Sequence, residues 1–198
     1  LLRWNHPSRG LLYPDEFIPI AEQTGLIRDL TLFVFREAVA ASARWRRQGH
    51  DLPISVNVSA RTLDDLALPA LITRLTDEEG VAAANLAVEI TESTIMADPG
   101  AAIAALGQLR AIGVQVSMDD YGTGHSSLGQ LKALPIDELK IDRSFITNMV
   151  EGSSDAVIAR STIDLAHSLG LRVVAEGVET PGALALLEDM GCDLVQGY

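Results

Sequence analysis

The sequence predicts an α/β fold, a TIM-like barrel of parallel strands and helices. From about residue 30 onward, amphipathic helical segments alternate with short strand-like runs, which is the pattern of repeated β/α units. Six successive strand-like runs carry a polar or charged residue near their C-terminal end, opposite their apolar face. An open doubly wound sheet would cover that face with helices, whereas a closed barrel gathers such residues at its C-terminal mouth. The barrel is therefore the favoured architecture.

Each helix is assigned from apolar residues three or four positions apart, and each strand from a short alternating or apolar run. Gly49, Gly113 and Gly170 mark helix ends, while Thr180 and Pro181 form an N-cap and first helical position. In chain order the predicted elements are helix 32–43, strand 53–59, helix 66–75, strand 86–90, helix 103–112, strand 114–119, strand 138–142, helix 157–169, strand 171–176, a helix from 181 and strand 193–196.

Composition limits the classes of protein to consider. With 198 residues, 47% of them apolar, the chain has material for one sizeable core, and no run predicts a membrane segment or signal peptide. A single cysteine, Cys192, cannot form an internal disulfide, so we expect a reducing, cytoplasmic setting. The net charge of -12 argues against a general nucleic-acid surface. A phosphate substrate is still allowed, because bound divalent cations reverse the local field.

Two adjacent carboxylates, Asp119 and Asp120, end an apolar strand and are the most informative feature of the chain. They repel each other and lose hydration, so they need a cation nearby; a turn or a helix N-cap is the alternative interpretation. Asn57 and Glu89 end neighbouring predicted strands. All four side chains offer hard oxygen ligands, which suit Mg²⁺ or Mn²⁺ better than zinc.

The glycine loop that follows these carboxylates contains Gly122 and Gly124. This spacing is part of a dinucleotide-binding fingerprint, but the third glycine is missing and no predicted helix starts at the turn. We therefore prefer a mobile loop beside the metals, one that could switch the position of Asp120.

Eight ordered motifs are similar to those of the EAL domain family of cyclic di-GMP phosphodiesterases, and the resemblance spans essentially the whole chain. Leu1 resembles the third letter of the family's Glu-Ala-Leu signature. We therefore expect the strand with the signature Glu to lie upstream of residues 1–198 and the C-terminal end of the domain to be missing as well. The matching segments are 1–7, 17–27, 57–59, 89–92, 119–128, 139–145, 175–179 and 196–198.

The resemblance implies roles for the matched residues. Asn57, Glu89 and Asp119 would bind one metal with the upstream Glu, and Asp120 would help to bind a second. Glu176 would be the general base, and Lys140 would contact the attacking water or a phosphate oxygen. The other implied site residues are Arg3, Asp142, Glu179 and Gln196 for the substrate, and Glu92, Gly122 and Gly124 for a regulatory loop that couples dimer contacts to metal occupancy.

The implied reaction is the hydrolysis of cyclic di-GMP to linear pGpG with two Mg²⁺ or Mn²⁺ ions, in a homodimer flanked by sensor or GGDEF-type domains. The main alternative is a catalytically inactive EAL module that acts as a cyclic di-GMP receptor. A third possibility is an unrelated metal-dependent barrel such as an aldolase, because barrels support many chemistries.

Overall fold

A computed structural model describes residues 2–124 and 128–197 as an antiparallel hairpin and a six-stranded parallel sheet with helices. The first half contains β1 (Trp4–His6), β2 (Gly10–Leu12), α1 (Pro14–Thr24), α2 (Ile27–Arg47), β3 (Ile54–Asn57), α3 (Ala60–Leu63), α4 (Leu68–Glu79), β4 (Leu86–Thr91), α5 (Glu92–Ala97) and α6 (Pro99–Ala111). The second half contains β5 (Gln115–Tyr121), α7 (Leu128–Ala133), β6 (Glu138–Ile141), α8 (Ser154–Ser168), β7 (Arg172–Glu176), α9 (Pro181–Met190) and β8 (Leu194–Gln196).

The parallel sheet follows chain order, β3-β4-β5-β6-β7-β8, and curls into a half-barrel of the TIM type. Its register places Asn57 beside Glu89 and Glu176 beside Gln196, so the C-terminal strand ends lie along one edge. The TIM-like prediction is therefore confirmed. The hairpin and helix α1 were not among the elements assigned from periodicity.

Alternation along the strands separates an apolar face from a polar one, as predicted. The apolar side chains form the core with the helices and are at most 1% exposed; they include Val56, Val88, Ile90, Val116, Met118, Leu139, Ile141, Val173 and Ala175. Burying such side chains stabilises the fold by about 1.5–3 kcal/mol each. The same alternation directs the polar residues to the opposite face.

Four predicted strands are shorter in the structure, and strand 53–59 is shortened the most. Strand 53–59 ends at Asn57 in the structure, because Ser59 is the N-cap of the one-turn helix α3. The Thr180 cap is confirmed, since its Oγ1 accepts a hydrogen bond from the Ala183 amide at 3.2 Å.

Carboxylates that precede β6 and β8 form hydrogen bonds to residues at the starts of β5 and β7. Asp137 accepts a hydrogen bond from the Val116 amide at 2.9 Å, and Asp193 accepts one from the Val173 amide at 2.8 Å. The Asp193 carboxylate also lies 2.9 Å from His167 Nε2. Although burial raises the pKa of Asp193, these two hydrogen bonds outweigh it and hold that pKa below its usual value.

Two further features of the described residues concern the cysteine and the lengths of the helices. Cys192 is half-buried against the core, and burial raises the pKa of its thiol above the usual value. Within residues 2–124 and 128–197, no helix has the length and apolar character needed to cross a membrane.

Candidate active site

The C-terminal edge of the sheet holds an ammonium group among three carboxylates. Lys140, on β6, has a 4% exposed side chain, and its Nζ lies 3.2 Å from Glu89 Oε1 and 3.3 Å from Asp119 Oδ1. The same Nζ forms an ion pair with Glu176 Oε1. Asn57 Nδ2 donates a hydrogen bond to Glu89 Oε2 at 3.1 Å. Five consecutive strands, β3 to β7, therefore contribute one side chain each to this cluster.

Charge attraction dominates at Lys140. Burial by itself lowers the pKa of Lys140, but Glu89, the hydrogen bond to Glu176 and Asp119 outweigh it, so the pKa lies above its usual value. At Glu176 burial raises the pKa, and the nearby Asp119 and Glu89 charges raise it further against the hydrogen bond from Lys140. Glu176 is therefore a carboxylate with increased proton affinity.

Asp120 departs from regular strand geometry. The register between β5 and β6 shifts between Met118 and Tyr121, and Asp120 has a left-handed backbone with φ of 56°. Burial raises the pKa of Asp120, and the nearby charges of Asp119 and Asp142 raise it further. An irregularity of this kind re-aims side chains, so the adjacent carboxylates have different neighbours: Asp119 forms an ion pair with Lys140, and Asp120 lies near Asp142.

Glu92 connects the glycine loop to the end of β4. Its side chain is buried, and its Oε2 accepts hydrogen bonds from the amides of Gly122 at 3.1 Å and Gly124 at 3.2 Å. A Cβ atom added to Gly124 would lie 2.7 Å from the Glu92 carboxylate, so a larger residue would displace it. The loop is thus fixed at both glycines.

The oxygen atoms of this cluster are of the chemical type that binds a hard divalent cation. Among the described residues, no three Asp, Glu, His or Cys side chains form a group able to hold a metal ion as they stand, because the carboxylates converge on Lys140 instead. One ammonium cannot neutralise Glu89, Asp119 and Glu176 together, so these carboxylates keep an excess of negative charge. Carboxylate and amide oxygens with such an excess are ligands for Mg²⁺ or Mn²⁺.

A family match accounts for this combination of curled parallel sheet and acidic edge. The family model described as EAL domain matches residues 1–198. The chain belongs to the EAL domain family. This confirms the resemblance seen in the sequence; Leu1 and Tyr198, which carry its two ends, lie outside the described residues.

Several relatives of this EAL domain are named for their activities. It is 44% identical over 199 residues to the cyclic di-GMP phosphodiesterase NbdA of Pseudomonas aeruginosa, covering 100% of this chain and 25% of that protein. It is 43% identical to the bifunctional diguanylate cyclase/cyclic di-GMP phosphodiesterase MucR of the same organism, covering 100% of this chain and 29% of MucR. The chain thus spans less than a third of these curated relatives.

A solved relative has the same fold. The structure described as PaMucR phosphodiesterase in complex with c-di-GMP matches this EAL domain with a TM-score of 0.94 at 43% identity. The match covers 100% of this chain and 80% of that chain.

Of three predicted substrate residues of the EAL domain, Arg3 and Glu179 have no described contact with the acidic cluster, whereas Gln196 lies beside it. Arg3 donates a hydrogen bond to the Leu2 carbonyl and lies 4.7 Å over the Tyr13 ring; among the described contacts, none joins it to the cluster. Glu179 is exposed after β7. Gln196 pairs with Glu176 in the sheet register, which places it next to the cluster along the edge.

Two residues near the cluster were not singled out from the sequence. Phe145 lies against Gly122, and Arg143 lies against Gly177. Both follow the predicted strand 138–142, but the sequence contains no local signal for these contacts, since each joins residues more than twenty positions apart.

Proposed function

We propose that this EAL domain hydrolyses one phosphodiester bond of cyclic di-GMP to give linear pGpG, using two Mg²⁺ or Mn²⁺ ions. The observation that carries the proposal is the convergence of Glu89, Asp119 and Glu176 on Lys140 at the C-terminal edge of the sheet. In TIM-like barrels this edge is where catalytic residues lie. Relatives at 43–44% identity named as cyclic di-GMP phosphodiesterases support the choice of substrate.

The oxygen atoms of Asn57, Glu89 and Asp119 would hold one ion, with the signature Glu expected upstream, and Asp120 would help to hold the second. When bound, such ions polarise a phosphoryl oxygen and acidify a bound water. The excess negative charge of the cluster is what favours their binding.

Glu176 and Lys140 would perform the proton transfer and positioning. In the hydrolysis, the water oxygen bonds to phosphorus, the P–O bond to one ribose oxygen breaks, and that oxygen receives a proton. Glu176 would take the proton from water, and its raised pKa brings it closer to that of an effective base at neutral pH. Lys140 fixes the Glu176 carboxylate and supplies positive charge beside the developing phosphoryl charge.

The remaining expectations complete the proposal. Arg3, Asp142, Glu179 and Gln196 would contact the substrate, and Glu92, Gly122 and Gly124 would link metal occupancy to a homodimer interface. We also propose a cytoplasmic setting and flanking sensor or GGDEF-type domains. The bifunctional diguanylate cyclase name of MucR, of which this chain covers 29%, supports the flanking domains.

The test is product analysis by chromatography after incubation of the protein with cyclic di-GMP in Mg²⁺, in Mn²⁺ or in EDTA. We expect pGpG only with the metals, and a loss of about a hundredfold or more for Asp119→Asn and Glu176→Gln. Glu151→Gln, which changes an exposed acid after β6, is the matched control and should retain activity. Binding of cyclic di-GMP without any pGpG would overturn the proposal and indicate the receptor function instead.

A further inference from the structure

The turn that follows β6 touches the loops on both of its sides. We define the β6 turn as residues 142–145. It is internally rigid: the Asp142 carboxylate accepts a hydrogen bond from the Ser144 amide at 3.0 Å, and the Phe145 amide donates to the Asp142 carbonyl at 3.1 Å. The next residue, Ile146, is fully buried, so the turn is anchored in the core.

On the β5 side, the ring of Phe145 rests against the backbone of Gly122. A Cβ atom added to Gly122 would lie 2.9 Å from Phe145 Cε2 and 3.3 Å from Cζ. Gly122 also has φ of +100°, which a larger residue rarely adopts. It lies two residues after Asp120, whose carboxyl is close to that of Asp142 in the same β6 turn.

On the β7 side, the β6 turn packs directly on Gly177. A Cβ atom added there would lie 2.6 Å from Arg143 Cβ and 3.3 Å from Arg143 Cα. Gly177 has φ of +73° and immediately follows Glu176. The backbone that carries Glu176 and the backbone that carries Asp120 therefore rest on the same four-residue turn.

The sheet itself does not fix Asp120 relative to β6. The paired register of β5 and β6 is interrupted between Met118 and Tyr121, so the regular ladder skips the two adjacent carboxylates. On its other side β5 pairs with β4 as far as Asp119, which lies opposite Thr91. Beyond Asp119, the described contacts that hold the segment include those of Glu92 and those of the β6 turn.

We propose that the β6 turn fixes the position of Asp120 relative to Glu176, and that Phe145 is a positioning residue for the candidate metal site. The link to metal and catalysis rests on the proposed function, whereas the packing does not. Truncation of Phe145 frees one side of Gly122, which loosens the loop at its hydrogen bonds to Glu92 and displaces Asp120.

Hydrogen exchange in the metal-free protein tests the packing directly. The Gly122 and Gly124 amides donate to Glu92, so Phe145→Ala should accelerate their exchange by about tenfold. Phe145→Leu, which keeps a bulky side chain, should recover part of the protection. Phe33→Ala removes an exposed aromatic ring on α2 and should leave both amides unchanged. Unchanged exchange at both glycines in Phe145→Ala would overturn the inference.

A double-mutant cycle tests the link to the metal site, with Mn²⁺ affinity measured by calorimetry. Gly122→Ala should weaken Mn²⁺ binding by roughly tenfold or more, and adding Phe145→Ala should restore part of it by making room for the new methyl group. Gly113→Ala is the matched control, because Gly113 has φ of +91° but its added Cβ would lie 3.7 Å from the nearest atom, Ala83 Cβ. Strict additivity of the two substitutions would refute a role for Phe145 at the metal site.

The two experiments separate failure of this inference from failure of the proposed function. Faster exchange in Phe145→Ala, with no hydrolysis of cyclic di-GMP by the wild type, would retain the β6 turn packing and refute only the phosphodiesterase proposal. Hydrolysis by the wild type, with exchange unchanged in Phe145→Ala, would refute only the role of Phe145.

Discussion

Replacement of Lys140 by methionine removes the only cation that contacts Glu89, Asp119 and Glu176 within the described part of the chain. Methionine keeps most of the side-chain volume, so the change is mainly electrostatic. The three carboxylate side chains are only 11%, 14% and 20% exposed, so water compensates little for the lost ammonium. We expect Lys140→Met to destabilise the metal-free protein.

The magnitude follows from the burial of the ion pairs. Removing one partner of a buried ion pair typically costs about 3–5 kcal/mol, because it leaves charge without compensation. For a chain of this size each kcal/mol corresponds to about 2–4 °C in Tm, so we expect Tm in EDTA to fall by roughly 6–20 °C. Protonation of a carboxyl with a raised pKa, such as Glu176, would place the result toward the lower end.

The assay is thermal unfolding followed by circular dichroism, in EDTA and then with Mn²⁺. Since no ammonium competes for the carboxylates in Lys140→Met, Mn²⁺ should raise its Tm more than that of the wild type. Lys132→Met is the matched control, because Lys132 is the other lysine of the chain and is exposed. A Tm for Lys140→Met within about 2 °C of the wild type in EDTA would refute the buried ion-pair reasoning.

Three further predictions concern separate parts of the fold. Gly177→Ala should lower stability and activity more than Gly170→Ala, because only Gly177 lies against Arg143. Both glycines have a similar positive φ, +73° at Gly177 and +75° at Gly170, so backbone strain is matched. Equal unfolding curves for the two variants would contradict this. Asp193→Asn should lower stability at neutral pH. Since the pKa of Asp193 is lower in the folded than in the unfolded protein, the stability difference between wild type and variant should shrink as pH falls below about 4. Urea titrations across pH 3–7 measure this difference. Phe35→Ala, at 0% exposure, should cost about 3–5 kcal/mol in urea unfolding, and a cost below 1 kcal/mol would refute its place in the core.

The strands and their faces could be predicted because their signal is local. Alternation with a period of two identifies which residues share a face, and parallel strands in chain order bring their C-terminal ends to one edge. That is why Glu89, Asp119 and Glu176 could be assigned to one site before any contact was known. The same alternation predicted that Lys140 lies on this face, and the structure places its Nζ among the three carboxylates.

The other features of the candidate site depend on contacts between residues that are distant in sequence. The shift in register between Met118 and Tyr121 has no marker in the apolar run, yet it lies at the segment where Asp120 comes near Asp142. The positive φ of Gly122 could be anticipated from its type, but the Phe145 ring that leaves no room for a Cβ atom there could not. Local patterns thus predict which side chains reach the edge and not how the loops there are held.

The charges at the edge indicate how the apoprotein and the metal-loaded protein would be related. Lys140 satisfies part of the charge of three carboxylates, so the cluster is already assembled in a metal-free chain. The excess negative charge then favours a divalent cation without requiring the sheet to rearrange, and the adjustment falls on side chains and on the irregular segment at Asp120. Metal affinity should therefore depend more on the residues that hold this segment, Glu92 and Phe145, than on the stability of the sheet.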